Sequence, residues 1–137
     1  MILQNTVVLP NEPGALARMG KVLADAGIQV HALVVSTMSE TSVVRLICDD
    51  PERASQELCK RRYFVRTSRV LAMEVSNQPG GLSALAAQIT RAELNIEYVY
   101  CCPLGGKVYD IVCVSGEPVD VKLSAAGIEG LTQEDLA

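Results

Sequence analysis

The sequence predicts an α+β fold made of two tandem copies of one unit, each with the element order β-α-β-β-α-β. The motif Asn11-Glu-Pro-Gly-Ala-Leu16 recurs 66 positions later as Asn77-Gln-Pro-Gly-Gly-Leu82. Apolar residues at helical spacing follow both copies, and segments of strand composition flank them. A period of this length is too long for a solenoid repeat and suits a duplicated small domain.

The first unit opens with residues 2–9, which have strand composition. Residues 13–26 carry one apolar stripe of an amphipathic helix, with Pro13 favoured in its first turn and Gly27 ending it. Acidic residues and a proline favour a second helix start near residue 51. The remaining predicted elements are strands at 28–37, 42–48 and 63–67 and a helix at 51–59.

The second unit repeats this order, and Leu104-Gly-Gly106 indicates a hairpin turn within it. The order is that of the ferredoxin-like arrangement, an antiparallel sheet with two helices on one face. The repeat divides the chain into domains 1–68 and 69–137. The predicted elements are strands near 70–76, 95–102, 107–114 and 127–132, and helices near 79–93 and 118–126.

The composition excludes several classes of protein. The chain has 137 residues, a net charge of −4 and only 4% aromatic residues, which argues against nucleic-acid binding. No apolar run is long enough for a membrane span and no signal peptide is evident. Five irregularly spaced cysteines favour a reducing cytoplasm. Cys101-Cys102 lies in an apolar strand, so we expect at least one of the two cysteines to be a small buried apolar side chain rather than part of a redox-active pair.

No catalytic or metal-binding pattern stands out. The one histidine, His31, corresponds to Glu97 in the second unit and has no nearby second metal ligand. No Cys-x-x-Cys motif is present, and no Ser/His/Asp or Cys/His arrangement repeats. The sequence therefore predicts a protein that is not an enzyme and that needs no metal or cofactor.

The feature that repeats is the loop Asn-x-Pro-Gly-x-Leu between the first strand and the first helix of each unit. It has two interpretations, a plain turn with a helix start or a ligand-binding loop, and the residues alone favour neither. A glycine beside a helix start costs about 1 kcal/mol of helix propensity against alanine. Without a Cβ, it exposes first-turn N–H groups, which together with the helix dipole bind a carboxylate.

The two loops, followed by Leu23-Ala-Asp-Ala-Gly-Ile-Gln-Val30 and by Ala92-Glu-Leu-Asn-Ile96, resemble the signature of ACT domains. These are regulatory modules that bind amino acids. The resemblance covers essentially the whole chain, which is similar to stand-alone tandem ACT proteins. It implies that domains pair side by side and that an amino acid binds between the loop of one domain and the second strand of its neighbour.

The resemblance also implies particular ligand contacts. Loop amides would hold the ligand carboxylate, and the asparagine side-chain carbonyl would accept from its ammonium group. The facing strand would supply residues from 34–36 or from 98–100, with the alternating set left open; Tyr98 and Tyr100 are the candidates, although both would equally suit the core. The loop candidates are Asn11, Pro13, Gly14, Ala15, Leu16, Asn77, Pro79, Gly80, Gly81 and Leu82.

The two loops differ, and the second is predicted to be the better binder. Glu12 corresponds to Gln78, so the second loop lacks a carboxylate that repels an anionic ligand, and Gly80-Gly81 exposes more backbone. The aliphatic surroundings favour a hydrophobic or branched-chain amino acid. We expect a homodimer, because each unit leaves sheet surface uncovered. The alternative is a ligand-free module that dimerises or docks on an enzyme.

Overall fold

The computed structural model covers residues 1–137 and has an α+β fold with six antiparallel strands and four helices. Internal contacts divide the chain into two compact units. The first unit comprises Leu3–Ser68 and Gln133–Ala137, and the second comprises Met1–Ile2 and Arg69–Thr132. Each unit is described separately below.

The elements of the first unit are β1 (Ile2–Pro10), α1 (Ala15–Asp25), β2 (Val30–Met38), β3 (Thr41–Cys48), α2 (Pro51–Lys60) and β4 (Phe64–Glu74), with a 3₁₀ turn at Gln133–Leu136. Its strand order is β2-β3-β1-β4. Its first helix buries Met19 and Leu23, the apolar stripe that the sequence predicts. Its second helix starts where the Asp50 side chain accepts a hydrogen bond from the Arg53 N–H at 3.1 Å.

The second unit contains the later part of β4 and, in addition, α3 (Gly81–Arg91), β5 (Asn95–Leu104), β6 (Lys107–Ser115) and α4 (Val119–Ala125). Its strand order is β4-β6-β5. Leu85 and Ile89 of its first helix are buried against the sheet. No helix in the chain is long and apolar enough to cross a membrane.

The fold class is confirmed, but five of the predicted elements differ in detail from the structure. The strands predicted at 63–67 and 70–76 are one continuous strand, β4, because no turn residue separates them. The helices predicted to start at Pro13 and Pro79 start after Gly14 and Gly80, whose left-handed conformations end the preceding turns.

The strand predicted at 127–132 does not form. This segment makes one backbone hydrogen bond to β4, from the Leu131 N–H to the Ala72 carbonyl at 3.0 Å. Gly127 adopts a φ of +68°, outside the extended region. Gly127 and Gly130 both weaken a strand, which explains why the segment remains irregular.

The pairing register assigns each side chain to a face of its sheet. In the first unit, Val44 and Leu46 of β3 pack in the core with α1 and α2. Their partners on β2 are Val35 and Leu33, which therefore point to the helix side. In the second unit, Val112 packs against α3, so its partner Val99 also points to the helix side.

The cysteines differ in accessibility, and all five are free thiols. Burial, with the nearby charge of Asp49, raises the pKa of Cys48 to about 12, so its thiol stays protonated near neutral pH. We expect a thiol-specific reagent to label the exposed Cys59 and Cys101 rapidly, and Cys48 only after denaturation. Mass-spectrometric peptide mapping measures this, and labelling of Cys48 at the rate of Cys59 in the native protein would contradict it.

Candidate functional site

The first loop, residues 11–16, is tied to the turn between β2 and β3. The Asn11 N–H donates to the Glu40 carbonyl at 2.8 Å, and the Asn11 side-chain Nδ2 donates to the Ser39 carbonyl at 2.8 Å. The asparagine therefore does not cap the helix. Because its amide nitrogen is fixed in this way, its Oδ1 atom remains free to accept a hydrogen bond.

The start of α1 has N–H groups without partners. Gly14 occupies the N-cap position with φ +85°, and no side chain caps the helix. Backbone hydrogen bonds satisfy the N–H groups of Ala15 and Arg18. The N–H groups of Gly14, Leu16 and Ala17 have no protein acceptor.

The second loop, residues 77–82, repeats this geometry at the start of α3. Gly80 is the N-cap residue with φ +93°, again without a side-chain cap. The Gly81 N–H donates to Gln78 and the Ala84 N–H donates to Gly80. The N–H groups of Gly80, Leu82 and Ser83 are left without an acceptor.

The remaining long helix shows what an ordinary start looks like in this protein. In α2, the Asp50 side chain caps the first turn and Glu52 places a negative charge within it. Neither α1 nor α3 has an acidic residue in its first turn. The partial positive charge at these two helix starts is therefore not balanced by a side chain, and it favours a bound anion such as a carboxylate.

The two loops differ in the side chains that surround the N-cap glycine, Gly14 in the first loop and Gly80 in the second. In the first loop, Arg18 pairs with Glu12 at 3.0 Å, and a Cβ on Gly14 would lie 3.0 Å from the Arg18 guanidinium. In the second loop these positions hold Gln78 and Ala84, and nothing lies within 4 Å of a Cβ built on Gly80. The second loop is thus the more open of the two.

Gly81 has a different role from Gly80. It is buried, and a Cβ there would overlap the backbone carbonyl oxygen of Ser76. Its lack of a side chain allows close packing of the loop and does not expose backbone to a ligand. Ala15, at the same position in the first loop, is also buried, whereas the other loop candidates are exposed.

A comparison with protein-family models identifies the chain. The model described as an ACT domain pair matches residues 1–122. The chain belongs to the ACT domain pair family. No curated protein sequence matches it. The family match confirms the resemblance drawn from the two loops.

The fold of this ACT domain pair is shared with solved structures. A protein from Bacteroides thetaiotaomicron is 24% identical, with a TM-score of 0.86 over 98% of this chain and 94% of that chain. The ligand-free regulatory subunit of aspartate kinase from Thermus thermophilus is 14% identical, with a TM-score of 0.64 over 91% and 90%. The corresponding subunit from Thermus flavus is 15% identical, with a TM-score of 0.58 over 91% and 90%.

The tyrosines of the ACT pair do not share a face with the helices. Val99 points to the helix side, so its neighbours Tyr98 and Tyr100 point to the opposite face of the sheet. Their rings stack with centroids 6.4 Å apart. The structure therefore does not bring them to the side on which the second loop enters α3, and their role in binding stays a prediction.

Two features of this ACT pair were missed from the sequence. The exposed apolar residues on the helix side of the outer strands are Leu33 and Val35 in one unit and Val99 in the other. Arg18, which lies over the first loop, could have been noticed because Ala84 replaces it in the repeat.

No three His, Cys, Asp or Glu side chains gather as a metal ion requires.

Proposed function

We propose that this ACT domain pair is a regulatory protein that binds a free amino acid through the helix starts of its two repeated loops. One observation carries the proposal: three N–H groups at each start have no acceptor, no side chain caps them and no acidic residue balances them. Converging amide donors of this kind suit an α-carboxylate. The fold shared with an aspartate kinase regulatory subunit supports a regulatory role.

The asparagines complete the amino-acid site in this proposal. Asn11 is held by its Nδ2 atom, so its Oδ1 atom can accept from an ammonium group. Asn77 stands at the same place in the second loop. A carboxylate on the helix start and an ammonium on the asparagine together distinguish an amino acid from a simple carboxylic acid.

We propose the second loop as the tighter of the two sites. Gly80 is uncovered, whereas Arg18 and Glu12 lie beside Gly14 as an ion pair. Arg18 also reduces the repulsion that Glu12 would exert on a ligand. The expected difference in affinity therefore comes more from access than from charge.

A second copy of the chain is proposed to face the loops. β2 and β5 each pair on one side only, so each presents a free edge. Leu33, Val35 and Val99 are 48%, 40% and 39% exposed on the helix side of these strands. They would be covered in a homodimer and would provide apolar surroundings for a hydrophobic or branched-chain ligand.

The duplicated domains are proposed to be 1–68 and 69–137, as the repeat predicts. A reducing compartment, the cytoplasm, suits a chain whose five cysteines are all free.

A thermal-shift screen of the twenty amino acids tests the proposed function. A ligand at 100 times its dissociation constant stabilises the folded state by about 2.7 kcal/mol, which raises the melting temperature measurably. We expect at least one hydrophobic amino acid to do so at millimolar concentration. The absence of any shift among the twenty would contradict amino-acid binding.

The alternative function is a docking module without a small ligand. The observation in its favour is that Met38 and Phe64 are 82% and 70% exposed, which is unusual for large apolar side chains. This alternative predicts no response in the screen. Light scattering at micromolar concentration tests the homodimer that both functions predict, and a monomer would count against it.

A further inference from the structure

The second unit contains a cleft that is separate from its loop. It has a volume of about 420 Å³ and lies among β4, the end of α4 and residues 127–132. Ile128 lines it, and the buried Leu71 and Leu123 lie beneath it. Its volume lies in the range of small-molecule sites.

The irregular segment 127–132 forms one side of the cleft. Residues 127–132 meet β4 through one backbone hydrogen bond, at Leu131, and do not form a ladder. The N–H groups of Glu129 and Gly130 have no protein acceptor, although both residues line the cleft.

An ion pair adds charges of both signs to the cleft. Arg69 Nη1 and Nη2 donate to Asp120 Oδ2 and Oδ1, each at 3.0 Å. A guanidinium has five N–H donors, so three remain after this pairing. Each carboxylate oxygen of Asp120 likewise retains a lone pair. The pair can bind a further anion and a further cation without separating.

We infer that this cleft is a second small-molecule site, which takes a zwitterionic aliphatic α-amino acid. The ligand carboxylate binds Arg69 and the N–H groups of Glu129 and Gly130. Its ammonium group binds Asp120, and its side chain packs on the half-buried Ile128. The site shares no residue with the two loops, so binding at this site can be tested independently of the proposed function.

Two-dimensional ¹H–¹⁵N NMR with L-leucine as the probe tests this inference in the full chain. We expect the amide signals of Glu129 and Gly130 to shift with L-leucine. Neither 4-methylpentanoate, which lacks the ammonium group, nor 3-methylbutylamine, which lacks the carboxylate, should shift them at the same concentration. The signals of Gly80 and Leu82 report the loop separately, so failure at one site is distinguishable from failure at the other.

The variant Arg69→Gln removes the cation and should weaken the response of Glu129 and Gly130 at least about tenfold. It should fold, because the Arg69–Asp120 pair is exposed and such pairs contribute little to stability. Lys107→Gln breaks another exposed pair of the same unit, with Glu74, and is the matched control. Ser124→Trp fills the cleft from the exposed surface of α4 and should also abolish the shifts.

The inference is overturned if L-leucine leaves the two signals unmoved. An equal response to 4-methylpentanoate, or an unchanged response in Arg69→Gln and Ser124→Trp, would also overturn it.

Discussion

Replacing Gly81 with alanine should lower the free energy of unfolding by about 1–3 kcal/mol, the usual cost of overpacking. A Cβ at this position would overlap the Ser76 backbone oxygen and would lie 3.3 Å from the Val75 side chain. A backbone atom cannot move aside as a flexible side chain can, so residues 76–80 must shift. Equilibrium unfolding in urea measures the loss.

Gly20→Ala is the matched control for this variant. Gly20 lies within α1, and nothing lies within 4 Å of a Cβ built there. The same substitution should therefore stabilise the protein by up to about 1 kcal/mol through helix propensity. Equal effects of the two substitutions, or a gain in stability from Gly81→Ala, would show that the loop does not pack as described.

Truncation of Leu136 to alanine should cost about 2–5 kcal/mol, the range for a buried leucine. Leu136 is 1% exposed within the first unit. Its carbonyl accepts a hydrogen bond from His31 Nε2 at 2.8 Å, and Gln133 Oε1 accepts from the Leu3 N–H at 2.9 Å. These hydrogen bonds hold the 3₁₀ turn in place. Because the turn cannot move inward to fill the space of the deleted leucine side chain, the substitution leaves a cavity.

Leu82→Ala provides the comparison for Leu136→Ala. Leu82 is 64% exposed, so its truncation should change stability by less than about 0.5 kcal/mol. Both variants are measured by urea unfolding under one condition. If Leu136→Ala cost no more than Leu82→Ala, the C-terminal residues would not be packed in solution as they are in the structure.

The sequence predicts most of the fold because the apolar stripes of the helices and the turn residues between elements predict the same element order. Met19 and Leu23 are buried together with their counterparts Leu85 and Ile89, as their spacing predicts. The duplicated loop fixes where the helices follow the first strands. Such local patterns carry enough information for element order and for the family.

Other features depend on distant contacts that no local pattern encodes. Residues 127–132 have the composition of a strand, but two glycines and a single bond to β4 leave them irregular. No sequence pattern shows that Leu136 packs with the first unit. Likewise, Gly80 and Gly81 are adjacent and identical in type, yet only the structure shows that one is open and the other packed against Ser76.

The central claim, that loop amides bind the carboxylate of an amino acid, is tested most directly by deleting one of those amides. Leu82→Pro removes an unpaired N–H within the first turn of α3, where proline is tolerated. The preceding Gly81 has no Cβ, which removes one of the two steric conflicts between a proline ring and the residue before it. Leu82→Ala removes the same side chain but keeps the N–H group.

Isothermal titration calorimetry compares the two variants with the amino acid that gives the largest thermal shift. A hydrogen bond to a charged group is worth about 1.5–3 kcal/mol, so Leu82→Pro should bind about 10–100-fold more weakly than Leu82→Ala. Circular dichroism verifies that α3 is retained in both. Equal affinities of the two variants would contradict the claim.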